Sequence, residues 1–275
     1  GSEKILDFYH QNTFEFSIKD AQREHYLVEY QYRILPCAMP EEDWELYKTF
    51  SREIVQLQHT LEQEDNEKEQ LRLRQRIEGR YRDRAKLLKK NDQKAQTLQT
   101  IFDEIPPTAR VLIYGDDLHH LAEIGQALDH MGKYYFKYTG ELDAQKERPT
   151  ILKEFRQGIR KILLAVGCLD EGIDIPACDV AVFISSSTSE RQFIQRRGRV
   201  LRVAPGKTSA WIYDYLVYPI LSARTNDDER RLALSMIDAQ YRRINLMVED
   251  AINGIQERQK LDQFLSQRRL NPYDF

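Results

Sequence analysis

Cysteine is scarce: the 275-residue chain has three, Cys37, Cys168 and Cys178, with no Cys-x-x-Cys pair and no histidine cluster beside them. That excludes a disulfide framework and a zinc site as organising devices, and it fits a reducing, cytoplasmic setting with no bound metal. No apolar run approaches the roughly 20 residues that cross a bilayer, so no membrane partner is expected. No N-terminal signal is recognisable. Neither sign of charge dominates, since 41 Lys and Arg face 44 Asp and Glu for a net charge of −3. A nucleic-acid binder with this balance must gather its basic residues locally. There is no Gly/Ser linker and no internal repeat. There is also no initiating Met: Gly1-Ser2 has the look of a remnant left by protease cleavage, and the chain is expected to be a piece of something longer.

What is present falls into four stretches. Residues 1–40 carry a short apolar pattern (Ile5, Phe8, Tyr9). The alternating run Tyr26–Leu35 follows, rich in β-formers, and predicts a strand entering the next region. Residues 41–105 are charged and helical. Tyr47, Phe50, Ile54, Leu57 and Leu61 step by three and four, Glu62 to Gln70 is almost purely polar, and Leu73, Ile77, Tyr81, Ala85 and Leu88 make a return stripe. These predict an antiparallel helical hairpin. A third helix, from about Asp92 to Glu104, should stop at Pro106-Pro107. In residues 106–222 short β-rich runs alternate with helical stretches. The predicted strands are Val111–Tyr114, Tyr134–Tyr138, Ile162–Val166, Val180–Ile184 and Ala210–Tyr215. Such alternation predicts an α/β fold, a parallel sheet flanked by helices. Val180–Ile184, apolar on both faces, reads as a central strand. Residues 223–275 return to helix, with Ala233, Ile237, Ile244, Val248, Ala251 and Ile255 on one face, as an extension docked on the sheet or on a partner.

Two segments carry chemistry. In Gln195-Arg-Arg-Gly-Arg-Val-Leu-Arg202, a helix should begin near Thr188, where Ser187 and Glu190 form a capping box. Arg199 and Arg202, three apart, would then project on the same side. Two guanidiniums aimed at one point suit a phosphate chain, although a solvated basic helix end is the plain alternative. Gly198 lets another backbone approach closely. Upstream, Lys161-Ile-Leu-Leu-Ala-Val-Gly-Cys-Leu-Asp-Glu-Gly-Ile-Asp-Ile-Pro176 is an apolar strand ending at Val166-Gly167, then a tight turn with Gly172 and Asp174. Ligands of open α/β sheets bind beyond the carboxyl ends of strands. Amides near Gly167 could hold a nucleic-acid phosphate and Asp174 a ribose hydroxyl, or the segment is an ordinary strand-to-helix loop.

In this order and at this spacing, the two segments resemble motifs V and VI of superfamily 2 helicases. Val111-Leu-Ile-Tyr-Gly115 resembles motif IV. Tyr138-Thr-Gly140, with Arg148, Phe155 and Gly158, is similar to the segment between motifs IV and V. The resemblance covers about 105–217 and implies the second RecA-like motor domain. Residues 1–40, covered loosely, would be the linker from a first motor domain; the resemblance does not cover the hairpin, which reads as an insertion, or the C-terminal helices, which read as an extension. It implies ATP with Mg²⁺ as cofactor, held mainly by that first domain. Arg199 and Arg202 match arginine fingers, Gln195 the residue opening motif VI, and Gly172 and Asp174 the nucleotide-side pair of motif V. Gly115, Thr139, Gly140, Val166 and Gly167 match positions tracking one nucleic-acid strand. Many relatives carry Thr or Ser at the Val166 position, so only backbone could serve here. Asp170-Glu-Gly-Ile-Asp174 and Gln195-Arg-Arg-Gly-Arg199 look like DNA repair helicases and restriction-enzyme motor subunits, which favours DNA over RNA as partner. The alternative is a helicase-like module without catalysis that binds nucleic acid or docks a protein through the hairpin.

Gly206-Lys207-Thr208 mimics the end of a Walker A loop. Leu201 stands where that loop needs Gly, and a strand rather than a helix follows. No other Walker A is present, so the chain alone is expected to be inactive. On the return helix of the hairpin, Arg72, Arg76, Arg80 and Arg84 recur every four residues. They read either as a clamp on a phosphate backbone or as long stems bracing the hairpin against its acidic partner. Arg80 and Arg84, nearer the base, are the pair expected at DNA.

Overall fold

The computed structural model describes residues 17–89, 93–143, 145–166, 177–185, 190–222 and 224–271. Six parallel strands form one sheet in the order β1-β6-β5-β2-β4-β3. They are β1 (Glu29–Met39), β2 (Val111–Tyr114), β3 (Phe136–Tyr138), β4 (Ile162–Ala165), β5 (Val180–Phe183) and β6 (Ser209–Pro219). The apolar runs β2, β4 and β5 are buried at every residue, as strands covered on both faces must be. One face is packed by α5 (Leu98–Glu104) and α6 (Leu118–His130) through Leu98, Ile101, Leu121, Ile124 and Leu128. The other is packed by α7 (Glu147–Arg156), α8 (Glu190–Val200), α9 (Asp227–Val248) and α10 (Gly254–Gln267), through residues such as Phe155, Phe193, Ile237 and Leu261.

The entering strand runs Glu29–Met39, later than the Tyr26–Leu35 predicted, and pairs with β6 over its whole length. It is an outer strand, which is why Pro36, with no N–H to give, is tolerated inside it. Its free edge does not stay bare. Ile252 N–H donates to the Tyr30 carbonyl at 2.9 Å. The Asn253 side chain accepts from Tyr32 N–H at 2.8 Å and donates to the Tyr32 carbonyl at 2.9 Å. Covering an edge in this way blocks pairing with another chain.

That edge contact corrects the reading of the C-terminal stripe. The helix predicted to run through Ile255 breaks between Val248 and Gly254, where Ile252 and Asn253 leave to cover β1. Helical phase is lost across the break. Ala251 lies inside it, and Ile255 is 74% exposed, whereas Ala233, Ile237, Ile244 and Val248 are buried. The third helix is likewise split at Thr97, into α4 (Gln93–Gln96) and α5. β3 is shorter than predicted because Tyr134 points into solvent.

The hairpin is α2 (Glu41–Glu62) against α3 (Glu67–Lys89), with its tip in the polar stretch between them. Tyr47, Ile54, Leu73 and Ile77 are buried in the seam, and Leu57 and Leu61 are half-buried towards the tip. Its root belongs to the main core through Trp44 and Tyr47. Glu229 of α9 accepts from Trp44 Nε1 at 2.7 Å and from Lys48 Nζ at 3.0 Å. Burial pushes the Glu229 carboxyl up, but those two donors outweigh it and hold the group below its usual range. Before β1 stands α1 (Ile18–Arg23), closed by a Ser17/Asp20 capping box.

Candidate functional site

Because every strand points the same way, the C-terminal ends of β2, β3, β4 and β5 lie along one edge of the sheet. Gly115, Thr139, Gly140 and Val166 all stand there. Gly115 is constrained from two sides. Its N–H donates to the Ala165 carbonyl at 2.9 Å. A Cβ on it would meet Leu121 Cδ2 at 2.6 Å, so a larger residue here would force the Leu121 side chain of α6 to shift. Thr139 is 4% exposed. Gly140 is exposed, and its carbonyl accepts from Arg148 Nη2 at 2.7 Å. Val166 is half-buried and apolar, so its backbone alone can meet a polar ligand. Gly167, Gly172 and Asp174 lie outside the described residues, as does Ser187 of the expected capping box, while α8 begins at Glu190.

Behind Gly115 lies a polar cluster that the residue patterns did not reveal. His120 Nδ1 accepts from Asp116 N–H at 3.3 Å and contacts Ser185 Oγ at 2.8 Å. Lys89 Nζ pairs with Asp116 at 2.8 Å. Lys94 is 3% exposed and donates to the carbonyls of Leu88 (2.6 Å) and Ile184 (2.9 Å). Burial pushes its ammonium down to about 7. The cluster ties the base of the hairpin to the ends of β2 and β5. Asp117, the N-cap of α6, was its one local signal; a lone lysine in a charged stretch carries none.

Along residues 196–202 the four arginines, three on α8 and Arg202 just past its end, have two fates. Arg196 and Arg197 turn inward. Arg196 is buried, its guanidinium 5.3 Å from the Tyr114 ring. Arg197 Nη1 donates to the Leu246 carbonyl at 2.7 Å and pairs with Asp250 at 3.1 Å, bolting α8 to the end of α9. Gln195, Gly198, Arg199 and Arg202 instead line one open cleft of about 690 Å³, together with Ser17, Ile18, Tyr26 and Leu27 from the α1 region. A Cβ on Gly198 would meet nothing within 4 Å, so among the described residues no backbone exploits the approach that the glycine allows.

The route by which Arg199 and Arg202 meet differs from the one predicted. The helix ends at Val200, so Arg202 is not on it. Arg202 bridges antiparallel to Leu27, and Val28 N–H donates to the Leu201 carbonyl at 2.8 Å. Tertiary pairing with the chain before β1, not helical spacing, brings the two guanidiniums to one cleft. Lys207 explains the helix end. It is buried, and its Nζ donates to the carbonyls of Val200 and, at 3.3 Å, Arg202. A cation on the last carbonyls of a helix is favourable. Gly206, at φ +77°, makes the turn before it. The Gly-Lys-Thr triplet is therefore a helix cap and turn, with no amine left facing solvent.

Arg80 and Arg84 are engaged inside the hairpin. Arg80 pairs with Glu53 at 2.5 Å and Asp83 at 3.1 Å and lies over the Phe50 ring. Arg84 Nη1 donates to Ser51 Oγ at 3.2 Å between the rings of Tyr47 and Tyr81. Bracing, the other reading of the arginine stripe, has clear geometry in this basal pair, the two expected at DNA. Burial pushes the thiols of Cys37 and Cys178 up, to about 11 and about 12, which makes both poor nucleophiles. Among the described residues no group of three or more metal-capable side chains gathers, and no helix is long and apolar enough to cross a membrane.

Residues 93–204 match the family described as the helicase conserved C-terminal domain. Dicer-like protein 2-1 of Aspergillus niger is 47% identical over 58 residues, 21% of this chain and 4% of that protein. The DNA 3′-5′ translocase XPB2 of Sulfurisphaera tokodaii is 41% identical over 56 residues, 20% of this chain and 13% of that protein. The chain thus matches only a small part of either relative. The C-terminal part of the Fun30 ATPase domain superposes with a TM-score of 0.52 at 11% identity, over 78% of this chain and 99% of that one, which is a likeness of fold.

Proposed function

Because the chain carries a superfamily 2 helicase C-terminal domain over residues 93–204, we propose that it is the second motor domain of an ATP-driven DNA helicase or translocase. The observation that carries this reading is the sorting of the side chains along residues 195–202, on α8 and just past its end. Arg196 and Arg197 serve the core, while Gln195, Gly198, Arg199 and Arg202 share a cleft open to an approaching surface. That surface would be the first motor domain of the same parent.

ATP with Mg²⁺, held mainly on the first domain, supplies the phosphoryl chemistry. The two guanidiniums fit a phosphate chain, whereas buried Lys207 does not. Arg199 and Arg202 would contact the γ-phosphate and stabilise charge that grows in the transition state, an effect worth about 10³–10⁵ in rate for such fingers. Gln195, one helical turn before Arg199, would couple that contact to domain closure. Gly172 and Asp174 would complete the nucleotide side. Gly115, Thr139, Gly140, Val166 and Gly167 would follow one strand of nucleic acid along the strand-end edge. For Gly115 the part would be indirect, since its N–H is already given to Ala165. DNA is favoured because residues 170–174 and 195–199 resemble the segments of DNA repair helicases and restriction-enzyme motor subunits, and one relative matched over 56 residues is a DNA translocase. The bracing of Arg80 and Arg84 leaves them out of that path.

The test is ATP hydrolysis, in the presence of DNA, by the protein that holds both motor domains. Arg199→Ala and Arg202→Ala should each lower kcat about 10³-fold while ATP still binds. Turnover within about threefold of wild type, under ~1 kcal/mol in barrier, would remove the finger role and favour a non-catalytic docking module.

A further inference from the structure

β6 does not stop where its inner neighbour stops. Its pairing with β5 ends at Asp214, and Tyr215–Pro219 project beyond, at the same edge as Gly115, Thr139 and Gly140. At that projecting end lies a pocket of about 490 Å³ lined by Tyr218, Ser222, Arg230, Gln267, Arg268 and Arg269, among others, and, among the described residues, by no carboxylate. Arg230 comes from α9, whereas Arg268 and Arg269 follow α10, so the pocket exists only because the C-terminal extension folds back onto the strand.

The three arginines are not equivalent. Arg268 is held: Nη1 donates to the Phe264 carbonyl at 3.1 Å, and the guanidinium lies 3.6 Å from the Phe264 ring and 5.4 Å from that of Tyr218. An arginine on the last carbonyls of a helix needs no ligand to explain it. The other two are not held in this way. Arg230, the fourth residue of α9, reaches the pocket from the start of that helix. Arg269 occupies the left-handed region at φ 55°, a position after a helix where glycine or asparagine is the easy choice. The carboxylates closest in sequence to Arg230 are committed elsewhere, Asp228 to Arg231 at 3.6 Å and Glu229 to Trp44 and Lys48.

We infer that this pocket binds a backbone phosphate of the nucleic-acid strand, as a contact on the C-terminal extension beyond the strand-end loops. The inference rests on the nucleic-acid reading of that edge. Aromatic rings beside guanidiniums, with no acid in the lining, match the chemistry of a phosphodiester backbone.

The experiment uses the 275-residue chain and a short fluorescein-labelled DNA duplex, with affinity read by anisotropy over a range of salt concentrations. Arg230→Gln with Arg269→Gln should weaken binding and flatten the slope of log K against log salt by about 0.9 per contact, about 1.8 for the pair. Arg230→Lys with Arg269→Lys should restore the slope, because counterion release follows charge. Should the Gln pair unfold, Arg269→Gln alone, on an exposed side chain, should show half the change. An unchanged slope in a chain that binds duplex overturns the pocket and leaves the motor reading standing. A chain that binds no duplex overturns the nucleic-acid edge and the pocket with it. Pyrophosphate binding that is lost in the Gln pair while the duplex slope stays constant would assign the pocket to a small free anion and overturn the polymer as occupant.

Discussion

A side chain's part in this molecule depends on what lies opposite it as much as on its type. Arg197 and Arg199 are two positions apart in one helix, yet one is bonded to Leu246 and Asp250 and the other lines an open cleft. Lys94 and Lys207 are buried for a shared reason: each satisfies carbonyls at a helix end. Lys94 has a measurable consequence. Burial lowers its folded value to about 7 from the ordinary 10.5. Between those two values the unfolded chain binds more protons than the folded one, so this group's contribution to stability rises with pH across that window. The contribution is lost as pH falls through about 7. Urea midpoints at several pH values should therefore climb more steeply in wild type than in Lys94→Met. Parallel profiles would show that Lys94 titrates normally.

At the scale of elements, the hairpin and the C-terminal helices extend the sheet domain in opposite styles. The hairpin stands out from it, rooted by Trp44 and Tyr47, and is sealed inside by an arginine–aromatic seam. The C-terminal pair lies down on the sheet, and the break between α9 and α10 covers the edge of β1. Arg80 and Arg84 then belong to hairpin stability. Replacing both by Gln, which keeps helix propensity, should lower the melting temperature by about 3 °C and leave the salt slope of DNA binding unchanged. A flattened slope with an unchanged melting temperature would return these two residues to the phosphate clamp.

For the whole molecule, the cleft and the strand-end edge are separated by the length of α8. The helix returns from the end of β5 towards the start of β6, so Arg199 and Arg202 lie towards the edge opposite Gly115. On the proposed reading, a domain built this way would face a nucleotide on one side and a nucleic-acid strand on another, with the phosphates cradled by the first motor domain. The isolated chain should show no ATP turnover with or without DNA. Turnover that vanished in Lys207→Ala would mean the Gly-Lys-Thr turn is a phosphate loop after all. The sequence by itself determined the alternation of strand and helix, the hairpin with its polar tip and the order of the motif-like segments, because periodicity and turn chemistry are local properties of the backbone. The tertiary structure alone decided which arginines reach the cleft, where the last long helix breaks and how the Arg80 and Arg84 stems are spent. Each of those outcomes depends on a partner far along the chain: Leu246 and Asp250 for Arg197, Leu27 for Arg202, Tyr32 for Asn253 and Glu53 for Arg80. No local pattern records a contact that exists only after the sheet has brought such residues together.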